Sequence, residues 1–184
     1  RIGYVDDNAA DLSLFGKLEI TEGLVEIGNP ANNSANDIVY ASTGAPEINL
    51  TGGVLKVNGQ IRRSSSSVNG SLRFRLSGNG EVLINGKSQL TTRGMLEVLN
   101  TGSVFEMSGT SRIQIVRGGS INFADLLLNP ASATVTGGTI EFHPIGAGDQ
   151  SFTLNTTTTL YNVSILSDAT NNPTVALNTN GLTL

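Results

Sequence analysis

The sequence has no cysteine and no tryptophan, and its single histidine is His143. Without cysteine the chain can form no disulfide and no thiolate-bound metal site. One histidine also excludes a zinc site built from several histidines. Because His143 precedes Pro144 at the end of a predicted strand, we interpret it as a turn residue and not as the base of a catalytic triad.

Charged residues are scarce, at 14% of the chain, against about 25% in typical soluble domains. The net charge of −4 argues against a nucleic-acid partner, because neutralising phosphates requires clustered Lys and Arg. The sequence lacks a long apolar run that could form a transmembrane segment. It also lacks a basic and apolar leader, so any export signal is expected outside this stretch.

A short motif recurs along the chain: glycine, any residue, an apolar residue, any residue, and a second apolar residue. This alternation has the period of a strand with one buried face, and glycine suits a sharp corner at positive φ. The copies begin at Gly16, Gly23, Gly53, Gly80, Gly94, Gly119 and Gly138, with a shifted copy at Gly102. Several steps between copies are about 19 to 27 residues, which suits the coils of a β-solenoid.

We therefore predict an all-β fold, a right-handed parallel β-helix with coils of about 19–27 residues. Helix signals are nearly missing, because no long window keeps the i, i+3, i+4, i+7 apolar pattern uninterrupted. A β-sandwich is the rival fold, but it does not explain the coil-like spacing of the motif. One inward ladder is predicted to contain Val25, Val57, Ile84, Val98, Phe123 and Phe142.

Residues 1–184 are predicted to form a single β-helix segment of a longer protein. Residues 28–47, 62–69 and 143–150 are rich in Asn, Ser, Pro or Gly, and they are interpreted as loops that leave the coils. No cap of the kind that protects a solenoid end is evident at either terminus.

Two sets of carboxylates are candidates for chemistry. Asp6, Asp7 and Asp11 form a tight acidic cluster that could supply oxygen ligands to Ca²⁺, but a solvated N-terminal loop or the turn of an N-terminal coil is the preferred interpretation. Glu19, Glu26, Glu97 and Glu141 occupy the outward position of the glycine-led strands. A row of stacked carboxylates could include a general acid pair. Because Lys56, Leu83 and Asn122 interrupt the same position, a solvated sheet face is preferred.

Arg62, Arg63, Arg73 and Arg75 form a basic cluster that could contact an acidic glycan, although outward arginines on strands also serve solubility. The alternation places Leu72, Phe74 and Leu76 inward in the same strand. Ser64 to Ser67 lack a neighbouring base, and no nucleophile elbow occurs. Thr156 to Thr159 do not recur on every coil, which excludes an ice-binding row. No catalytic, cofactor-binding or metal-binding residue is therefore assigned.

The later part of the chain resembles a repeat of very large surface proteins of Bacteroidota. The matching stretches are residues 148–154, 159–165, 175–178 and 181–184, together with the coil-like run 94–123. Tyr161-Asn162-Val163-Ser164-Ile165 resembles the family's strand of aromatic, Asn, Leu, Thr and Ile residues. The resemblance covers about residues 45 to 184. It implies export by the type IX secretion system, and it carries over no catalytic residue.

These observations predict a non-catalytic structural or adhesive segment of a large secreted protein at the bacterial cell surface. The expected partners are the outer-membrane translocon of the type IX system and surface glycans, without nucleic acid. The alternative is a carbohydrate-active β-helix, either similar to polysaccharide lyases and hydrolases or a glycan-binding module. The two differ in one feature, a groove that holds at least two carboxylates and a Lys or Arg within reach of one sugar ring.

Overall fold

The structure, a computed structural model, describes residues 11–30, 36–41, 43–65, 69–86, 93–119 and 123–177. These residues form sixteen β-strands and no helix. All strand pairs are parallel, and the strands stack as a β-solenoid of about five turns. This confirms the predicted all-β parallel β-helix and excludes a β-sandwich built from antiparallel hairpins. The described part of the chain has no helix with the length and apolarity that a membrane crossing requires.

The strands are short, and most are followed by a glycine or a polar turn. In chain order they are β1 (Leu12–Leu14), β2 (Lys17–Ile20), β3 (Leu24–Ile27), β4 (Ile38–Tyr40), β5 (Glu47–Leu50), β6 (Val54–Val57), β7 (Ile61–Arg63), β8 (Arg73–Leu76), β9 (Glu81–Ile84), β10 (Leu96–Met107), β11 (Arg112–Ile115), β12 (Leu126–Val135), β13 (Thr139–Phe142), β14 (Gln150–Thr156), β15 (Asn162–Ile165) and β16 (Pro173–Leu177).

The coils have three faces. Face one contains β1, β4, β7, the first half of β10, the first half of β12, β14 and β16. Face two contains β2, β5, β8 and the second halves of β10 and β12. Face three is a separate six-stranded sheet of β3, β6, β9, β11, β13 and β15. From β1 to β13 the chain therefore visits faces one, two and three in turn in each coil, whereas β14 on face one is followed directly by β15 on face three.

The core lies along the axis, where the inward residues of successive coils stack on one another. On face three, one inward column is Ile27, Val57, Ile84, Ile115 and Phe142, and the register continues to Ile165, which is 52% exposed. On face two, Ile48, Phe74 and Phe105 are in register, and the two aromatic rings are stacked with centroids 5.9 Å apart. Burying such apolar columns supplies the main stabilisation that a parallel sheet needs.

The predicted inward ladder is only partly correct. Val57, Ile84 and Phe142 share one column and are fully buried. Val25 is partly buried and lies in the neighbouring column, in register with Leu55. Val98 is buried but belongs to face one, where it pairs with Leu128. Phe123 is partly exposed and lies outside any strand. The ladder mixed residues from different faces, since the local motif is the same on each.

The corner between faces two and three explains part of the recurring glycine pattern. It contains three or four residues in each coil, and a glycine there has a positive φ, as at Gly53 (70°) and Gly109 (69°). A Cβ on Gly109 would lie 2.6 Å from the carbonyl oxygen of Gly78 in the coil below. Glycine is therefore required both by the backbone conformation and by the close approach of stacked corners.

The other corners vary in length. Residues at equivalent positions on face one are 23 to 35 residues apart, so some coils exceed the predicted range of about 19–27. The segment 28–47, interpreted from sequence as one loop, contains β4. Residues 143–149 form a connection between strands, which confirms the third predicted loop.

Candidate functional site

The carboxylates predicted to line a solvated sheet face fall into two environments. Glu19 is exposed, with 51% of its side chain accessible, and its carboxylate accepts a hydrogen bond from Lys17 at 2.8 Å. Glu26, Glu97 and Glu141 are buried, at 6%, 0% and 6% exposure. The prediction of a solvated face is therefore wrong for these three residues, because neighbouring coils and connections cover them.

Glu97 is the centre of a buried cluster of charges. Its Oε2 atom accepts hydrogen bonds from Arg93 Nη2 at 2.5 Å and from Arg63 Nε at 3.1 Å. The backbone N–H of Arg63 also donates to Oε2, and the backbone N–H of Gly94 donates to Oε1. The guanidinium carbons of Arg93 and Arg63 lie 5.1 and 5.6 Å from the ring centroid of Phe123. Sequence reasoning missed this cluster because Arg93 lies in the connection before β10, where the strand alternation predicts nothing about side-chain direction.

Tyr40 joins the cluster from the core. Its hydroxyl group donates to the backbone oxygen of Glu97 at 2.7 Å. Burial, reinforced by the charge of Glu97, raises the pKa of Tyr40 far above the usual value. The phenol therefore stays protonated and remains a donor, which ties β4 to β10 across the intervening strand β7.

A second group of charges ties the first three coils together along face one. Arg62 Nε donates to Asp37 Oδ2 at 2.7 Å, and Arg62 Nη2 lies 3.3 Å from Asp11 Oδ2. Asp37 also accepts from the backbone N–H of Gln60 at 2.7 Å. Burial raises the pKa of Asp37, and the charge of Arg62 opposes that shift. Asp11, which directly precedes β1, therefore takes part in a contact between coils.

The Ca²⁺ hypothesis concerned Asp6, Asp7 and Asp11. Asp6 and Asp7 lie outside the described residues, and Asp11 contacts Arg62 and the backbone N–H of Asp37. Within the described ranges, no three His, Cys, Asp or Glu side chains are grouped as a metal site would require.

Face three carries a polar patch, which consists of Glu81, Arg112, Gln114, Glu141 and His143. Arg112 on β11 lies between two carboxylates, 3.0 Å from Glu81 on β9 and 3.6 Å from Glu141 on β13. Gln114 Nε2 donates to Glu141 Oε1 at 2.6 Å, and His143 Nδ1 lies 3.3 Å from the same oxygen. His143 follows β13 directly, as its interpretation as a residue at the strand end predicted. This face-three patch brings together two carboxylates and one arginine.

Face two carries the arginines that the alternation placed outward. Leu72, Phe74 and Leu76 are buried as predicted, and Arg73 and Arg75 point away from them. Arg75 Nε lies 3.2 Å from Glu106, and its Nη1 atom lies 3.7 Å from Glu47. Arg75 thus bridges the carboxylates of the coils on either side. Arg62 and Arg63, in contrast, are paired within the wall and do not belong to an exposed basic cluster.

A groove of about 210 Å³ lies beside Arg73, at the corner between faces one and two. Its lining residues are Gly44, Ala45, Pro46, Ser71, Arg73 and Gly102. They come from three successive coils, since 44–46 precede β5, Ser71 precedes β8 and Gly102 lies within β10. The lining is made of small residues, with one long cationic side chain. We call this cavity the Arg73 groove.

The described residues of the serine and threonine runs lie at or just after the ends of strands. Ser64 and Ser65 follow β7, while Ser66 and Ser67 lie outside the described residues. In the threonine run, Thr156 and Thr158 are buried, and the Thr156 hydroxyl group donates to the Thr158 oxygen at 3.0 Å. These contacts shape the end of β14.

Comparisons with family models, with curated proteins and with solved structures found no match to this chain.

Proposed function

We propose that this chain is a non-catalytic structural and adhesive segment of a large secreted protein at the bacterial cell surface. The observation that carries the proposal is the use of its charged groups: the buried carboxylates bind cations or backbone amides of the same coil or of nearby coils. Glu97 and Asp37 each accept at least two such hydrogen bonds. Charges placed in this way hold coils in register, which is the task of a scaffold.

The buried carboxylates are poorly suited to catalysis. A general acid or base must come within hydrogen-bond reach of a substrate proton. Glu97 has no exposed surface, and its carboxylate is surrounded by Arg63, Arg93 and backbone amides. A carboxylate buried in this way stabilises the neighbouring cations and amides, and it cannot contact a polysaccharide substrate.

Export by the type IX system, with its outer-membrane translocon as partner, completes the proposal. It is supported by the resemblance of residues 94–123 and 148–184 to surface proteins of Bacteroidota and by the composition rich in Gly, Ser, Thr and Asn. The strand Tyr161 to Ile165 that carries much of the resemblance includes β15, the last described strand of face three.

Surface display can be tested with antibodies raised against the 184-residue chain. They are expected to label intact cells of the bacterium that produces the protein, because the segment is proposed to lie outside the outer membrane. A strain without a functional type IX translocon is expected to lose this label while keeping the antigen in lysates. Labelling that appears only after lysis of the normal strain would contradict the proposal.

A carbohydrate-active β-helix is the second candidate, and the face-three patch is the observation that favours it. Glu81 and Arg112 are partly accessible, with 41% and 39% of their side chains exposed. Glu81 and Glu141 lie on strands separated by β11, so a sugar ring lying across Arg112 would have a carboxylate on each side. Paired carboxylates of this kind are used by glycoside hydrolases.

Our first proposal predicts no cleavage of pectin, alginate or other uronic-acid polymers by the purified chain, with or without Ca²⁺. The physical reason is that Glu141 is almost buried and already contacts Arg112, Gln114 and His143. Product release is measured by size-exclusion chromatography of the polymer. Cleavage that disappears in Glu141→Gln and persists in the exposed control Glu19→Gln would establish the second candidate instead.

A further inference from the structure

We infer that the Arg73 groove binds the carboxylate group of a uronic-acid-type sugar within an acidic polysaccharide. The inference rests on the proposed adhesive function and names its ligand class. It is carried by the guanidinium of Arg73, which has no partner among the described residues, by the small lining of the groove and by the rigid corner that holds both.

Arg73 is exposed, and it makes no ion pair or side-chain hydrogen bond with the described residues. The strand register explains why Arg73 has no such partner. Glu47 is its direct neighbour on β5, but the Glu47 carboxylate lies 3.7 Å from Arg75. Its neighbour on the other side, on β10, is the apolar Val104. Arg75 therefore takes both nearby carboxylates, Glu47 and Glu106, and Arg73 is left available for an external anion.

The groove has the dimensions of a small subsite. Its volume of about 210 Å³ is below the range of about 300–1,000 Å³ for pockets that enclose drug-sized ligands. It extends over three coils, and adjacent strands are about 4.8 Å apart, so its length is about 10 Å. This length suits one or two sugar rings of a polymer that continues beyond both ends. Gly44, Ala45 and Gly102 leave the floor open to such rings.

The corner beside the groove is fixed by hydrogen bonds between coils. Asn100, which has a positive φ of 83°, donates its side-chain amide to the backbone oxygen of Gly70 at 3.1 Å. The Ser71 hydroxyl group donates to the backbone oxygen of Thr101 at 2.6 Å. The backbone N–H of Leu72 donates to Ser103 Oγ at 3.1 Å. A site held in this way loses little conformational entropy when a ligand binds.

A carboxylated sugar fits this site better than a peptide or a nucleic acid. Arginine binds carboxylates through two parallel hydrogen bonds, and Arg73 is the one cation among the described residues that line the groove. Peptides commonly bind sheets by pairing with a free strand edge. The strands beside the groove offer no such edge, because β5 pairs with β2 and β8, and β8 pairs with β5 and β10. A nucleic acid would bind weakly, because the groove offers its phosphates the one arginine Arg73 and the net charge of the chain is −4.

The test measures binding of oligogalacturonate to the 184-residue chain by isothermal titration calorimetry. The dissociation constant is expected to rise about ten- to one hundredfold in Arg73→Ala, which removes a charge-assisted bidentate contact. Arg73→Lys should bind with intermediate affinity, because it keeps the charge and loses the fork of donors. Lys56→Ala, which removes a partly exposed cation on face three outside both the groove and the face-three patch, is the control and should bind like the unchanged chain. Circular dichroism checks that each variant keeps its fold.

Two further ligands test whether binding requires the carboxylate group and whether it also requires the sugar. The fully methyl-esterified oligosaccharide should not bind, and poly-glutamate should bind much more weakly than oligogalacturonate. Equal affinities of Arg73→Ala and the unchanged chain would overturn the inference, as would equal affinity for poly-glutamate. Surface labelling is independent of these results. Failed sugar binding with intact-cell labelling would reject only the groove, and sugar binding without labelling would reject only the proposed location.

Discussion

Replacing Glu97 with alanine is expected to lower the free energy of unfolding by about 3 to 5 kcal/mol, the usual range when one partner of a buried ion pair is removed. The reason is that Arg63 and Arg93 would remain buried, with side-chain exposures of 5% and 4%, and would lose their shared carboxylate. The backbone N–H groups of Arg63 and Gly94 would lose the same acceptor. Urea unfolding followed by circular dichroism measures the change.

Glu19→Ala is the matched control for this variant. Glu19 has the same place in the sequence motif as Glu97, but it is exposed, so its loss should change stability by no more than about 0.5 kcal/mol. Similar unfolding midpoints for the two variants would show that the Glu97 cluster adds nothing to stability. The urea dependence of each transition should be compared as well, because solenoids can unfold in parts.

The second large effect is expected for Phe74→Ala, at about 3 to 5 kcal/mol of lost stability. Phe74 is fully buried, and its ring stacks on Phe105 at a centroid distance of 5.9 Å. Phe74 also lies in register between residues of β5 and β10, so a cavity at this position would be bordered by residues of three successive coils. Packing on either side cannot collapse into the cavity without shifting paired strands.

Phe15→Ala is the corresponding control, because the Phe15 side chain is 55% exposed and its loss should cost about 0.5 kcal/mol or less. The two variants remove the same atoms, so their difference in thermal midpoint isolates the effect of burial. A Phe74→Ala chain as stable as Phe15→Ala would be incompatible with an apolar column at the centre of face two.

The recurring motif contained enough information to predict the fold class. Alternating apolar residues predicted strands such as β8 and β11, and Leu72, Phe74, Ile113 and Ile115 are buried as expected. The glycine at the start of each copy marked the short corner before face three in the copies at Gly23, Gly53, Gly80 and Gly138. Strand alternation and corner glycines are local properties of a few consecutive residues, so they can be predicted directly from the sequence.

Assignment of strands to faces could not be made in this way. Gly16 and Gly94 precede strands of faces two and one, although their motifs look the same as that of Gly53. Strand pairing depends on residues 23 or more positions away, so the length of each connection decides it. For the same reason Glu97 was predicted to face solvent, while Arg63 from the previous coil and Arg93 from a connection cover its carboxylate.

The candidate binding residues were anticipated only in part. The sequence placed Arg73 and Arg75 on one outward face, but it could not show that Arg75 contacts Glu47 and Glu106 while Arg73 pairs with none of the described carboxylates. The face-three patch was also missed, because Glu81, Arg112 and Glu141 are about 30 residues apart in sequence and become neighbours only through the stacking of coils.

The unequal coils have a consequence for the size of the molecule. A coil advances the solenoid by about 4.8 Å, the spacing between paired strands, whether it uses 23 residues or 35. Residues added to a connection therefore widen the shaft locally and leave its height unchanged. The length of a shaft built from such coils is therefore set by the number of coils alone. Its connections are then free to change in length and sequence, and new ligand contacts can arise there without altering how far the shaft extends.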